Sequence, residues 1–371
     1  MKKIVLIPDS FKGTLSAEQV CAVMEKAVRE RFPQAEVVSI PVADGGEGSV
    51  DCLLRAMGGK KVRCRCEGPF GEPVESFFGM LKDGTAVIEM AACCGLPMTE
   101  GRADPGKTTT LGVGTLISEA VRAGAKKLIV CLGGSATNDG GCGAAAGLGV
   151  KFYNTAGEAF IPTGDTLTDI ARIDAAGLRP ALREIPIVTM CEITNPLYGR
   201  QGAAYVFAPQ KGASPEQVVR LDAGLMHLSE RIRTDLGQDV SSLPGGGAAG
   251  GMGAGMKAFF GSELRSGIET VLSLVRFEEQ IADADLIFTG EGRIDSQSEG
   301  GKVLSGVGKA AKRQGKPVIA LCGCDESNEG IYALGISAVF SINRKAEDFS
   351  VSRHKSAENL ETTVRNILRI L

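Results

Sequence analysis

The sequence predicts an α/β protein made of two α/β domains: a flavodoxin/Rossmann-like parallel sheet built from both chain termini, and an inserted mixed α/β domain. Three observations lead there. The first 56 residues read as two strand–helix units in succession, which gives parallel strands joined by right-handed crossovers. Lys61–Met90 switches to alternating apolar and polar positions punctuated by Gly/Pro turns, the pattern of an antiparallel meander. After about Glu278 the strand–helix rhythm returns. The expected domains are therefore 1–62 plus 279–371, and 63–278.

In chain order, Ile4–Ile7 is a short apolar run that reads as the first strand, followed by the loop Pro8–Gly13. Ser16 and Gln19 have the spacing of a capping box, with Leu15 and Val20 placed as a staple. The helix then runs to about Arg31, burying Val20, Val23, Met24, Ala27 and Val28 on one face. Val37–Val42 is a second strand, followed by the turn Ala43–Ser49 and a helix to about Ala56. In the middle of the chain we expect a helix over Leu111–Ala123, strands over Leu128–Leu132 and Ile185–Met190, and a long helix over Pro215–Leu236. Pro244–Gly253 reads as a glycine loop. Strands over Leu286–Thr289, Val318–Cys322 and Ala338–Ile342, with helices over Val303–Gln314 and Ser356–Leu371, complete the terminal sheet. In such sheets ligands sit beyond the carboxyl ends of the strands, and the loops of Asp9, Asp44 and Glu291 all fall on that edge.

The most informative stretch is Leu128–Gly141, LIVCLGGSATNDGG. Its apolar run stops at nine consecutive small or polar residues, Gly133–Gly141, four of them glycine. Glycine tolerates positive φ and leaves backbone N–H groups open to a ligand. Ser135, Thr137, Asn138 and Asp139 add short hydrogen-bonding arms, and Gly143–Leu148 continues as a helix whose N-terminus favours anions. A tight strand-to-helix turn is the plainer alternative.

Composition narrows the chemistry. The 371 residues suit two domains, and a net charge of −3 without basic clusters argues against nucleic-acid or membrane surfaces. No run approaches the roughly 18 apolar residues of a membrane span. The 50 glycines exceed the usual share of about 7% and gather in discrete loops. Eleven cysteines form no CxxC pair and neither of the two histidines lies near one, which excludes a zinc site and fits a reducing cytoplasm. Gly101–Thr108 matches the phosphate-loop pattern GxxxxGK[ST] literally. Pro97–Glu100 stands where a strand should lead in, Pro105 removes an N–H from the cradle, and Asp104 would face the phosphates. We read it as a surface loop.

What remains is carboxylates on glycine turns (Asp44-Gly45-Gly46-Glu47-Gly48), an arginine flanked by acids (Glu291, Arg293, Asp295), and a cation at the first loop (Asp9-Ser10-Phe11-Lys12). No GxSxG and no cysteine–histidine pairing accompanies them. Phosphoryl transfer needs positioning, a metal and charge neutralisation more than covalent groups on the protein. The inventory suits a small-molecule kinase better than a hydrolase or dehydrogenase.

The same loops resemble the bacterial glycerate kinases that lack a Walker loop. The segments are PDSFKGTLSA (8–17), PVADGGEG (41–48), VIEMAA (87–92), GGSATNDGG (133–141), TNPLYG (194–199), PQKGAS (209–214), PGGGAAGGMG (244–253) and TGEGRIDSQS (289–298). The resemblance implies ATP-dependent phosphorylation of glycerate, Mg²⁺, and an active site in the cleft between two α/β domains. One departure is Cys191-Glu192, where that family reads Cys-Asp.

On this reading Asp9, Ser10, Lys12, Arg293 and Asn195 bind glycerate, its carboxylate on Lys12 and Arg293, and Asp44 or Asp139 accepts the hydroxyl proton. ATP phosphates lie on Gly133, Gly134, Ser135, Thr137 and Asn138, or on Gly246, Gly247, Gly250 and Gly251, with Asp44, Glu291 and Asp295 around Mg²⁺. The expected product is 2-phosphoglycerate from (R)-glycerate, with 3-phosphoglycerate or a non-catalytic anion-binding protein as alternatives. A monomer and a homodimer are both compatible with the chain.

Overall fold

In a computed structural model, residues 1–42, 45–46, 48–295 and 303–371 are described. The chain forms two compact units: Met1–Asp44, Asp51–Gly58 and Ser266–Leu371 in one, Gly45–Val50 and Gly59–Arg265 in the other.

The first unit holds an all-parallel sheet in the order Ala338–Ser341, Val318–Asp325, Leu286–Ile294, Lys3–Pro8, Glu36–Ser39. Lys3–Pro8 is buried along its whole length between two neighbours, which is why it reads as an unbroken apolar run and not as an alternation. Helix Ala17–Arg31 starts at the expected capping box, with Gln19 N–H on Ser16 Oγ and Ser16 N–H on Gln19 Oε1. Its Val20, Met24 and Val28 pack with Ile4, Leu6 and Phe288 of the sheet and with Leu360 and Val364 of helix Ser356–Arg369.

The second unit is mixed. Its larger sheet runs Glu263–Arg265, Ile187–Met190, Lys127–Cys131, Thr85–Glu89, Pro73–Leu81, Gly59–Glu67; the first four strands are parallel and the last two pair antiparallel. The meander expected over 61–90 thus ends on a strand, Thr85–Glu89, that turns the sheet from antiparallel to parallel. A three-stranded antiparallel sheet (Lys151–Tyr153, Ala159–Phe160, Arg172–Asp174) has no counterpart among the expected elements. Pro244–Gly253, expected as a loop, passes at Ala248 into helix Ala248–Phe260 through three left-handed residues, Ala249, Gly250 and Gly251.

Local pairing explains where the unit boundaries fall relative to 62/63 and 278/279. Gly59 and Lys61 are paired in the antiparallel ladder. Ile268, in helix Gly267–Leu274, packs so closely on Gly306 that an added Cβ there would sit 2.5 Å from its Cγ1. Gly45 and Val50 are bonded to Gly133 and Glu89 of the second unit.

Helix Leu111–Arg122 owes its place to two glycines. A Cβ on Gly112 would lie 2.0 Å from Glu67 O, and one on Gly114 would lie 2.5 Å from Ala144 O. Gly114→Ala gains about 1 kcal/mol of helix propensity and incurs about 1–3 kcal/mol of overpacking. Net destabilisation is expected, read as a lower urea midpoint with unchanged slope; a higher midpoint would mean that the two helices can separate freely.

Candidate active site

The loop after Lys127–Cys131 is built around one carboxylate. Asp139 is fully buried. Its Oδ2 accepts Thr110 N–H (2.7 Å), Thr110 Oγ1–H (2.8 Å) and Gly143 N–H (3.2 Å), and its Oδ1 accepts Gly141 N–H (3.1 Å). Burial pushes its carboxyl above the usual range, and these donors oppose the shift. The carboxylate accepts four hydrogen bonds, which tie the loop to the start of helix Leu111–Arg122; the expected role as general base would have to be played by oxygens already used in this way.

Lys211 crosses the same loop. Its Nζ is buried and donates to Ser135 Oγ (2.9 Å) and Thr137 O (2.8 Å). Burial drops its pKa to about 7, with Asp139 pulling the other way. Thr137 Oγ1 and both amide atoms of Asn138 lie buried in this loop without a hydrogen-bond partner among the described residues. Buried polar atoms of this kind are rare and call for an explanation such as a ligand. Gly133 and Gly134 are the loop's accessible part, Gly134 with φ +76°.

The turn that follows Asp44 meets the same place. Gly45 O accepts Gly133 N–H (2.9 Å), and a Cβ on Gly133 would come 2.5 Å from Gly46 Cα. Asp44 itself, like Glu47, lies outside the described residues.

The second glycine run supports the first. Gly246, Gly247, Gly250 and Gly251 are buried, and a Cβ at Gly250 would sit 2.0 Å from Thr137 O. Gly250 O also accepts Gly140 N–H (3.0 Å), and Gly247 N–H reaches Asn195 O (3.0 Å). These glycines allow close backbone packing, so the open phosphate cradle expected of them is not what they form. Asn195, expected to touch substrate, donates its amide to Gln201 O (2.7 Å) and thereby fixes its own turn.

In the first unit, Asp9, Ser10, Lys12, Glu291, Arg293 and Asp295 do gather at the carboxyl edge. Asp9 N–H bonds Gly290 O (2.8 Å), Asp9 Oδ1 accepts Ser10 N–H (2.6 Å), and a Cβ on Gly292 would lie 3.1 Å from Lys12 N. Lys12 is exposed and Glu291 buried. Arg293 departs from expectation. Its Nη2 donates to both carboxylate oxygens of Glu326 (2.7 and 2.6 Å), with Asp295 at 3.6 Å, so the guanidinium expected for the substrate carboxylate already holds an internal one. Among the described residues no three acidic, histidine or cysteine side chains are grouped to hold a metal.

The literal phosphate-loop pattern is exposed at Gly101–Ala103 and Lys107 and buried at Pro105, Gly106 and Thr108. A 3₁₀ turn, Leu96–Thr99, precedes it, and Lys107 is ion-paired with Asp104 (3.1 Å). Its threonines do matter: Thr108 Oγ1 bonds Ala136 O (3.0 Å) and Thr110 binds Asp139. Sequence alone assigns Lys211 and Thr110 no site role. The available signal for Lys211 was its place in PQKGAS; for Thr110 it was a buried Thr-Thr-Thr run.

Parallel strands ending in glycine and carboxylate loops suit a small-molecule kinase, which positions phosphate without covalent groups on the protein. The chain belongs to the glycerate kinase family, whose model matches residues 4–371. It is 45% identical over 372 aligned residues to glycerate 2-kinase of Escherichia coli K12, covering 100% of this chain and 98% of that one. It is 44% identical to the glycerate kinase of Bacillus cereus, covering 99% and 97%. Its fold matches a crystal structure of a candidate glycerate kinase 2 from Salmonella typhimurium LT2, with TM-score 0.90, 43% identity and coverage of 100% and 98%.

Two outcomes test this geometry. Because the Lys211 pKa is depressed in the folded state, the unfolded chain binds more protons between about pH 7 and 10.5, so the Lys211 contribution to stability rises with pH across that window and is level below it. Lys211→Met should remove this rise, read as the difference between wild-type and variant urea midpoints against pH; parallel curves would contradict it. Gly250→Ala places a side chain at φ +67° against Thr137 O. It should destabilise the fold by at least about 1–3 kcal/mol and lower kcat together.

Proposed function

We infer that the protein transfers the γ-phosphoryl group of ATP to a hydroxyl of glycerate. Family membership and full-length relatives carrying that name give the reaction. The observation that carries the site is the 133–139 loop, with Asn138 and Thr137 polar atoms buried and unpaired beside the Lys211 ammonium. Glycerate combines one carboxylate with two hydroxyls, and this set offers a cation, a hydroxyl and an amide that both donates and accepts. The N–H groups of Gly133 and Gly134 remain the loop's candidates for phosphate oxygens, although Gly133 N–H already reaches Gly45 O.

Asp44 takes the role of general base by elimination. Asp139 already accepts four hydrogen bonds, whereas Asp44 immediately precedes the Gly45 that bonds to Gly133. Lys12 supplies positive charge at the first unit's sheet edge. The described carboxylates form no cage for Mg²⁺, which usually binds one or two carboxylates together with substrate phosphates. Glu291 and Asp295, with Asp44, are the residues that would complete such a shell; when bound, the ion neutralises phosphate charge. The name of the Escherichia coli relative supports the 2-hydroxyl of glycerate as acceptor. An odd number of cysteines, eleven, most of them buried, supports a cytoplasmic location.

Phosphorus NMR of the product formed from ATP and (R)-glycerate should give 2-phosphoglycerate; a 3-phosphoglycerate signal would overturn the regiochemistry alone. Asp44→Asn should lower kcat about 10²–10⁴-fold with the fold intact, the range expected for losing a general base. Near-normal turnover would remove Asp44 from that role.

A further inference from the structure

A pocket of about 230 Å³ opens at the carboxyl edge of the first unit's sheet, and the reaction residues above leave it unexplained. Phe11, Lys12, Gly292, Gly323, Asn343 and Phe349 line it. These residues follow or end the strands Lys3–Pro8, Leu286–Ile294, Val318–Asp325 and Ala338–Ser341. Lys3–Pro8 and Leu286–Ile294 are neighbours from opposite ends of the chain, so strand order reverses there. Open α/β sheets bind nucleotides beyond the carboxyl ends at such a reversal.

The lining has the composition of a base site. Phe11 is buried and forms an apolar wall, while Phe349 is 58% exposed, an aromatic ring that the core does not need. Gly13 sits beneath that ring; an added Cβ would be 3.5 Å from Phe349 Cζ. Gly292 and Gly323 give a floor of bare backbone, since a Cβ on Gly323 would lie 2.8 Å from Gly292 O. Asn343 Nδ2 donates to Gly323 O (2.6 Å), which fixes the amide and leaves Oδ1 to accept from an exocyclic amine. Lys12 brings positive charge to the same pocket. A ring-and-sugar group fits this volume, and a whole nucleoside triphosphate does not.

We propose that this pocket takes the purine nucleoside end of ATP, stacked on Phe349, with the phosphates leaving past Lys12. The assignment rests on the ATP-dependent reading above and adds to it the place where the donor is recognised. Phe349 is a binding residue here and takes no part in the chemistry.

The test uses the full chain, Phe349→Ala and Phe349→Trp. Steady-state rates with ATP and glycerate are measured alongside calorimetric binding of adenosine alone. Stacking of a base on an aromatic ring corresponds to about a tenfold effect or more. Phe349→Ala should therefore raise KM for ATP and weaken adenosine binding, each about tenfold, and leave KM for glycerate nearly unchanged, and Phe349→Trp should restore both. The ring is exposed, so its removal does not empty the core, and an unchanged urea midpoint checks this. If the wild type turns over but Phe349→Ala keeps its KM for ATP and its adenosine affinity, the pocket assignment falls and the kinase reading stands. If the wild type releases no ADP with glycerate, the kinase reading falls, and weakened adenosine binding in Phe349→Ala would still support the pocket.

Discussion

One enclosed carboxylate holds the proposed glycerate site in shape. Asp139 collects donors from Thr110, Gly141 and Gly143, which lie in two segments far apart in sequence. A buried carboxylate is tolerable only when its oxygens are satisfied, so the constraint runs both ways. The 133–141 loop can keep its glycine-rich path only while Thr110 starts the neighbouring helix, and that helix can approach only because Gly112 and Gly114 lack side chains. Lys211 closes the other side by holding Ser135 and Thr137. Asn138 is left between these fixed points with its amide unspent.

The second glycine run belongs to the same framework. Ala249 adopts φ 53°, followed by Gly250 and Gly251 with positive φ. An alanine in the left-handed region costs of order 1–3 kcal/mol, and such strain collects around functional sites. Here it lets the backbone lie flat against Thr137 and Asn138. The two loops that both looked like phosphate cradles thus divide the work: one presents polar groups, and the other shapes the surface behind it.

Much of this was legible in the sequence because periodicity and caps report local physics. The Ser16–Gln19 box, the long helix Pro215–Leu236 and the buried first strand follow from a few adjacent residues. The resemblance carried by the ordered loop segments points to the family whose model matches residues 4–371. Other features depend on which distant residues meet. Asp44 and Asp139 look alike as acids beside glycines, and only the meeting of Asp139 with Thr110 shows it to be enclosed. Arg293 looked available because Glu326, its partner, lies a strand away. Lys211 is a single lysine near a turn until burial makes it exceptional. The three small strands between Lys151 and Asp174 have two or three residues each, too few for alternation to register.

The path of the chain carries a consequence for its synthesis. It passes from one unit to the other at 44/45, 50/51, 58/59 and 265/266. On the ribosome, Lys3–Pro8 emerges first, yet one of its two neighbours, Leu286–Ile294, is translated nearly three hundred residues later. The inserted unit has all of its strands in hand by Arg265. It can therefore mature while Lys3–Pro8 has only Glu36–Ser39 beside it, and a strand with an open edge of that kind attracts aggregation and chaperones. A strand written at the start of the chain thus gains its second neighbour only late in synthesis.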